Sequence, residues 1–159
     1  MRNLEVWGVP SYIVDIWEKS YSPYLLPVQE EAVRDYGVLD YDGGKGLPRR
    51  CVPRNDRRMD SRLRGNDMRN NNLLVVAPTS SGKTFIGEMA AITQAVHKKK
   101  TIYLVPLRSL AEEKYHHFRD LYANCNINTL ISSRDRREYD KKIIRGDYQA
   151  VVMVYEKFN

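Results

Sequence analysis

Apolar residues in the second half of the chain fall into short blocks separated by amphipathic stretches, and this alternation predicts an α/β fold. Leu73-Leu74-Val75-Val76-Ala77 is a continuous apolar run of strand length, which predicts a parallel strand buried on both faces. Downstream, Phe85, Ile86, Met89, Ile92 and Val96 recur at helical spacing, so a helix is expected to about His97. The pattern then predicts a strand over 101–105, a helix over about 109–122, a strand over 128–132, a short helix around 139–144 and a strand over 150–154. Tyr115, Phe118 and Tyr122 share one helical face and are expected to pack in the core. Strands separated by helices imply crossover connections and a parallel sheet flanked by helices. Ligands of such sheets bind at the carboxyl ends of the strands, where the loops 77–84, 106–108 and 155–157 are expected to gather.

The first 39 residues read as helical: Ile13, Ile16 and Trp17 share a face, Tyr24-Leu25-Leu26-Pro27 interrupts it, and a second helix resumes from about Gln29 to Tyr36. Pro27 suits the first turn of that helix. From 40 to 72 the pattern dissolves into Gly, Pro, Asn, Asp and Arg, which predicts a flexible basic insert, because so few apolar residues cannot offset the entropy of ordering. Residues 73–159 form the α/β region. A chain of 159 residues has room for one core.

Charge sharpens this division. The formal net charge is +6, but nine of the 26 basic and three of the 20 acidic residues lie between Lys45 and Asn70, leaving 17 of each sign elsewhere. Any electrostatic case for nucleic acid therefore rests on local sites and not on the overall charge. No stretch approaches the roughly 18–20 apolar residues of a membrane span, and no secretory pattern opens the chain, so a cytoplasmic protein without membrane partners is expected. Cys51 and Cys125 stand far apart, with no metal-ligand spacing, and read as reduced thiols.

The chemistry is concentrated in Ala77-Pro78-Thr79-Ser80-Ser81-Gly82-Lys83-Thr84, which joins the first apolar run to the first long helix. Small residues there let successive backbone N–H groups turn around phosphate oxygens, at the positive end of a helix. Thr79, Ser80, Ser81 and Gly82 are the expected cradle, Lys83 the contact to the β and γ phosphates, and the Thr84 hydroxyl the Mg²⁺ ligand. A nucleoside triphosphate, ATP or GTP, is the implied ligand.

Ala77 stands where the general G-x-x-x-x-G-K-[ST] pattern has its first glycine, and A-x-T-x-x-G-K-T resembles the loop of superfamily 2 helicases. Leu25-Leu26-Pro27-Val28-Gln29-Glu30-Glu31-Ala32-Val33 is similar to their Q motif, which implies that Gln29 reads the adenine edge and selects ATP. Leu104-Val105-Pro106-Leu107-Arg108-Ser109-Leu110-Ala111-Glu112-Glu113-Lys114 resembles motif Ia of the DExH branch, which includes archaeal-type repair helicases and exosome-associated RNA helicases. The resemblance implies that Pro106 and Arg108 grip the phosphate backbone of single-stranded or duplex DNA or RNA. Ser132-Ser133-Arg134-Asp135 lies where the family has threonine-glycine-aspartate, with Arg134 replacing the glycine. Val154-Tyr155-Glu156-Lys157 resembles T-x-E-K with Val154 at the threonine, which leaves Glu156 and Lys157 as further nucleic-acid contacts or as a surface ion pair.

The fold so implied is part of a RecA-like P-loop domain, and the function is the ATP-binding N-terminal portion of an ATP-dependent helicase. The family's D-E-x-H motif and second lobe lie beyond Asn159, which implies that this polypeptide alone does not turn ATP over. An inactive remnant of a disrupted helicase gene is the alternative. A small P-loop kinase, with Arg134, Arg136 and Arg137 as its lid, is another. The stretch from Leu47 to Asp67, with its phrase Asp60-Ser61-Arg62-Leu63-Arg64-Gly65-Asn66-Asp67, resembles a translated copy of the palindromic repeats dispersed in bacterial genomes. A basic tether for nucleic acid is the other reading of that segment.

Overall fold

The computed structural model describes residues 1–39 and 73–158, so the basic insert expected over 40–72 lies outside the described residues. A 3-10 turn, Arg2–Trp7, is closed by Gly8 in the left-handed conformation. Helix α1 (Ser11–Ser20) buries Ile13, Val14 and Trp17, and Ile16 packs beside them half-buried. Helix α2 (Pro27–Arg34) starts at the proline, as its fixed φ favours, and buries Gln29, Ala32 and Val33. Helix α3 (Lys83–Val96) follows the loop at 77–82 and turns Phe85, Ile86, Met89 and Ile92 inward at the expected spacing.

Three parallel strands come next: β1 (Thr101–Val105), β2 (Thr129–Ser132) and β3 (Ala150–Val154), in the spatial order β1-β3-β2. Thr101 pairs with Ala150 and Val105 with Val154 on one side, and Thr129 pairs with Ala150 on the other. The central strand β3 is buried at every position. Its side chains alternate between two cores, as pleating demands. Val152 and Val154 join the large core with α1, α3 and α4 (Arg108–Leu121), whereas Val151 and Met153 join Leu130 in a smaller one with Ile143 of α5 (Asp140–Arg145). Tyr115, Phe118 and Tyr122 are buried as expected. Trp17 meets Phe85 edge-on at 5.5 Å, and Tyr103 meets Phe118 edge-on at 5.3 Å, locking the N-terminal helices and the sheet onto α3 and α4.

Two expectations are corrected. Residues 73–77 are not a strand buried on both faces: they join no ladder, Leu73 and Val75 pack on the large core, and Leu74 and Val76 are 86% and 85% exposed. An apolar run signals burial on two faces only if a neighbouring strand and layer cover the second, and here only alternate side chains meet the core. The stretch after β3 is also not a loop, since it continues into a single helical turn, α6 (Tyr155–Phe158).

Ile92→Ala is expected to lower the urea unfolding free energy by about 2–5 kcal/mol, because the cavity is fully enclosed. Leu74→Ala should change it by no more than about 0.5 kcal/mol. An equal loss from both would mean that the 73–77 segment is core after all.

Candidate functional site

The 77–84 loop closes onto α3 through two residues with positive φ, Ser80 at 63° and Gly82 at 82°. Left-handed residues spaced in this way curl a short backbone into the concavity that binds anions. The Ser81 N–H donates to the Pro78 carbonyl and the Phe85 N–H to the Gly82 carbonyl, and the first turn of α3 carries no side-chain cap. The Lys83 ammonium folds into the loop and donates to the carbonyls of Ala77, at 2.6 Å, and Pro78, with the Ser81 hydroxyl at 3.4 Å. Thr79 and Ser80 are exposed, as is Thr84 in the first helical turn.

Gln29 joins the N-terminal helices to this loop. Its side chain is only 5% exposed: Oε1 accepts the Leu26 N–H at 2.8 Å, and Nε2 donates to the Gly82 carbonyl at 3.1 Å. The amide can approach because Gly82 lacks a side chain. A Cβ there would lie 2.2 Å from Gln29 Nε2 and 2.9 Å from Leu26 Cδ1. Beside this junction opens a cavity of about 410 Å³, to which Tyr21, Tyr24, Leu26, Gln29, Gly82 and Thr84 contribute, with Phe85, Glu88 and Lys114 also on its wall. It is largely apolar with a few converging polar groups, the usual make-up of a small-molecule site.

Glu88, on α3, is 1% exposed. Its carboxylate accepts from the Tyr21 hydroxyl at 2.8 Å and from the Tyr122 hydroxyl at 2.5 Å, with His117 Nε2 at 3.1 Å. Trp17 Nε1 in turn donates to the Tyr122 oxygen at 2.7 Å. Burial, and then the Glu88 charge, push both phenols well above the ordinary tyrosine value, so both remain donors. Sequence reasoning passed over Tyr21, Tyr24, Glu88 and His117. A signal was present for Glu88, which falls on the same helical face as Phe85 and Ile92 and is therefore a charge placed in an apolar stripe.

The other expected residues lie at the carboxyl ends of adjacent strands β1 and β3, where Pro106 and Arg108 on one side and Glu156 and Lys157 on the other leave the sheet. Pro106, Arg108 and Glu156 are exposed and Lys157 is half-buried. All three charged groups have internal partners from the segment after β2. Arg108 pairs with Asp135, Arg134 Nε lies 3.0 Å from Glu156, and Lys157 Nζ lies 2.6 Å from Asp140. Lys157, together with the Ser132 hydroxyl at 2.8 Å, holds the Asp140 carboxyl below its ordinary range. Arg136 is forked onto Glu112 and Arg137 donates to the Arg134 carbonyl, so the partners of these arginines belong to α4, α6 and their own loop. That arrangement does not favour an arginine lid over the 77–84 loop.

A parallel sheet with helices on its faces, a phosphate-loop sequence leading into α3 and charged loops at the strand ends is the arrangement of a RecA-like domain in part. The profile of the DEAD/DEAH box helicases matches residues 62–159, and the chain belongs to that family. Over 159 residues, 99% of this chain, it is 34% identical to the ATP-dependent DNA helicase Hel308 of Caldivirga maquilingensis, of which the match covers 17%. It is 39% identical over 111 residues to Hel308 of Methanocella arvoryzae, covering 70% of this chain and 11% of that protein. It is also 33% identical over 89 residues to the chloroplastic ATP-dependent RNA helicase DExH15 of Arabidopsis thaliana, covering 56% and 7%. The chain thus spans less than a fifth of the length of these relatives. No helix among the described residues is long and apolar enough to cross a membrane.

Gly82→Ala is expected to lower the melting temperature and cost at least about 1–2 kcal/mol, the penalty for a left-handed non-glycine residue, while expelling the Gln29 amide. The Asp140–Lys157 pair should show a definite pH dependence. Because the folded carboxyl titrates below its unfolded value of about 3.9, its contribution is full above that pH and is lost as pH falls through the depressed value. Wild type and Asp140→Asn should therefore differ in urea midpoint at neutral pH and converge in strong acid.

Proposed function

We propose that this chain is the nucleotide-binding portion of an ATP-dependent helicase that acts on DNA or RNA. The observation that carries the reading is the Gln29 side chain, buried between the Leu26 N–H and the Gly82 carbonyl on the lining of a cavity to which Gly82 and Thr84 of the 77–84 loop also contribute. The base would enter the cavity and the phosphates would lie on the loop. An amide offers both a donor and an acceptor to a purine edge, and Gln29 retains one of each after its two internal bonds. The loop suits a triphosphate. Lys83 is a partly buried ammonium already surrounded by oxygen acceptors, and a phosphate oxygen would replace those carbonyls as its partner. Thr84 is exposed in the first turn and lines the cavity, and its hydroxyl would be offered to Mg²⁺, which would neutralise phosphate charge.

Nucleic acid would cross the carboxyl ends of β1 and β3, where Pro106 and Arg108 meet Glu156 and Lys157. Contacts of this kind go to the phosphate backbone and carry no base sequence. Arg108 would exchange Asp135 for a phosphate, and the exposed pair has little stability of its own to oppose the exchange. The Hel308 relatives bear the name of DNA helicases and the Arabidopsis relative that of an RNA helicase. The shared phosphate chemistry suits either strand.

Lys83→Ala is expected to weaken MgATP binding at least about tenfold in calorimetric titration, since it removes a charge-assisted contact. Arg108→Ala should leave ATP affinity unchanged and weaken single-stranded oligonucleotide binding, with the slope of log K against log salt falling by about 0.7, one phosphate contact. ATP affinity insensitive to Lys83 would refute the proposed site.

A further inference from the structure

Among the described residues, the buried carboxylate is one that the proposed nucleotide contacts do not use. Glu88 is a carboxylate with 1% exposure on the lining of the cavity, and among the described residues the nitrogen base within ion-pair distance of it is the His117 imidazole, at 3.1 Å. A buried charge persists only if donors satisfy it. Here three side chains from two elements converge to do so: Tyr21 just beyond α1, and His117 in the last turns of α4 with Tyr122 just beyond it. Tyr21 differs from the other two in where it sits. Its side chain is partly exposed and forms part of the cavity wall, its ring lies 4.4 Å from that of Phe85, and its hydroxyl bonds both Glu88 oxygens at 2.8 Å. The hydroxyl also lies 2.7 Å from His117 Nε2, whose ring stands 6.1 Å away, but His117 is itself held on Glu88, so without the carboxylate the Tyr21 ring keeps only Phe85 and a histidine that has lost its own anchor.

We propose that Glu88 is a positioning residue of the nucleotide site, fixing the ring of Tyr21 as the wall against which the nucleoside rests while Tyr122 and His117 brace the carboxylate from α4. The inference rests on the reading that the 77–84 loop takes the triphosphate and the cavity the base. Its energetic logic is preorganisation: a ring immobilised before binding loses no rotamer freedom when the ligand arrives. The effect is confined to the nucleoside end. Glu88 lies a full helical turn beyond Thr84, and its bonds run to tyrosines and a histidine, not to the loop that would hold the phosphates.

Confinement to one end of the ligand makes the test specific. The 159-residue chain is titrated calorimetrically with MgATP and, separately, with magnesium tripolyphosphate, as wild type, Glu88→Gln and Tyr21→Phe. Glu88→Gln keeps the volume but presents an NH₂ to hydroxyl donors, and Tyr21→Phe removes only the hydroxyl from the wall. ATP affinity is expected to fall about tenfold in Glu88→Gln and in Tyr21→Phe, the scale of the one charge-assisted hydrogen bond that each removes, with tripolyphosphate affinity unchanged in both. The proposal is overturned if both variants bind ATP as wild type does, or if ATP and tripolyphosphate weaken together, which marks a general loss of structure. If Glu88→Gln does not fold, Tyr21→Phe decides alone, and an unchanged ATP affinity in that variant overturns the proposal. Wild type that binds neither ligand would instead refute the underlying nucleotide reading, and this inference with it.

Discussion

At Gly82 the backbone turns with φ at 82°, and the amide of Gln29 occupies the volume that any side chain there would fill. Much of the candidate site follows from this close approach. It seats α2 on the start of α3, brings the N-terminal helices over the loop, and leaves a cavity between the Tyr21–Leu26 stretch and the first turns of α3. Gln29 is able to stay buried because its amide is satisfied at both ends, by the Leu26 N–H and the Gly82 carbonyl. The N-terminal segment is thus part of the site, held to the α/β region by a hydrogen bond spanning 53 residues of sequence.

Helix α3 transmits that constraint inward. Its Phe85, Met89 and Ile92 pack in the large core, a Cβ at Gly87 would come into van der Waals contact with the Tyr103 ring, and Glu88 gathers hydroxyls from either side. Apolar packing fixes where the helix lies, whereas the polar cluster specifies how α1 and α4 are oriented against it, since an unsatisfied buried carboxylate is far costlier than a misplaced methyl group. At the far end of α4 a different balance holds. The ion pairs of Arg108, Glu156 and Lys157 are mostly exposed, individually weak, and drawn from a single segment after β2, so that end of the sheet is a polar surface whose partners can be exchanged.

Periodicity made α3, α4 and the three strands legible within a residue or two, because each has one clearly buried face or, in β3, two. The same reasoning failed at 73–77, since a run of apolar residues looks alike whether both faces or only one meets the core. Gln29 could be singled out only by resemblance; as an isolated residue it reads as a solvated first-turn amide, and its burial depends on a glycine far along the chain. The pairings Arg108–Asp135 and Lys157–Asp140 join residues 27 and 17 positions apart across loops, where no periodic signal exists. Glu88 was visible as a charge in an apolar stripe, but its partners come from two other helices, and only the packed structure brings them together.

The central claim is that the base cavity and the 77–84 loop form one nucleotide site. A titration of the ¹⁵N-labelled chain with MgATP, followed by heteronuclear NMR, tests it most directly. The account predicts saturable shifts of the backbone amides of residues 79–84 together with the Gln29 side-chain NH₂ and the Tyr21 amide, all with a single dissociation constant. Shifts confined to the basic residues between Lys45 and Asn70, or loop shifts that saturate without any response from Gln29 and Tyr21, would contradict it.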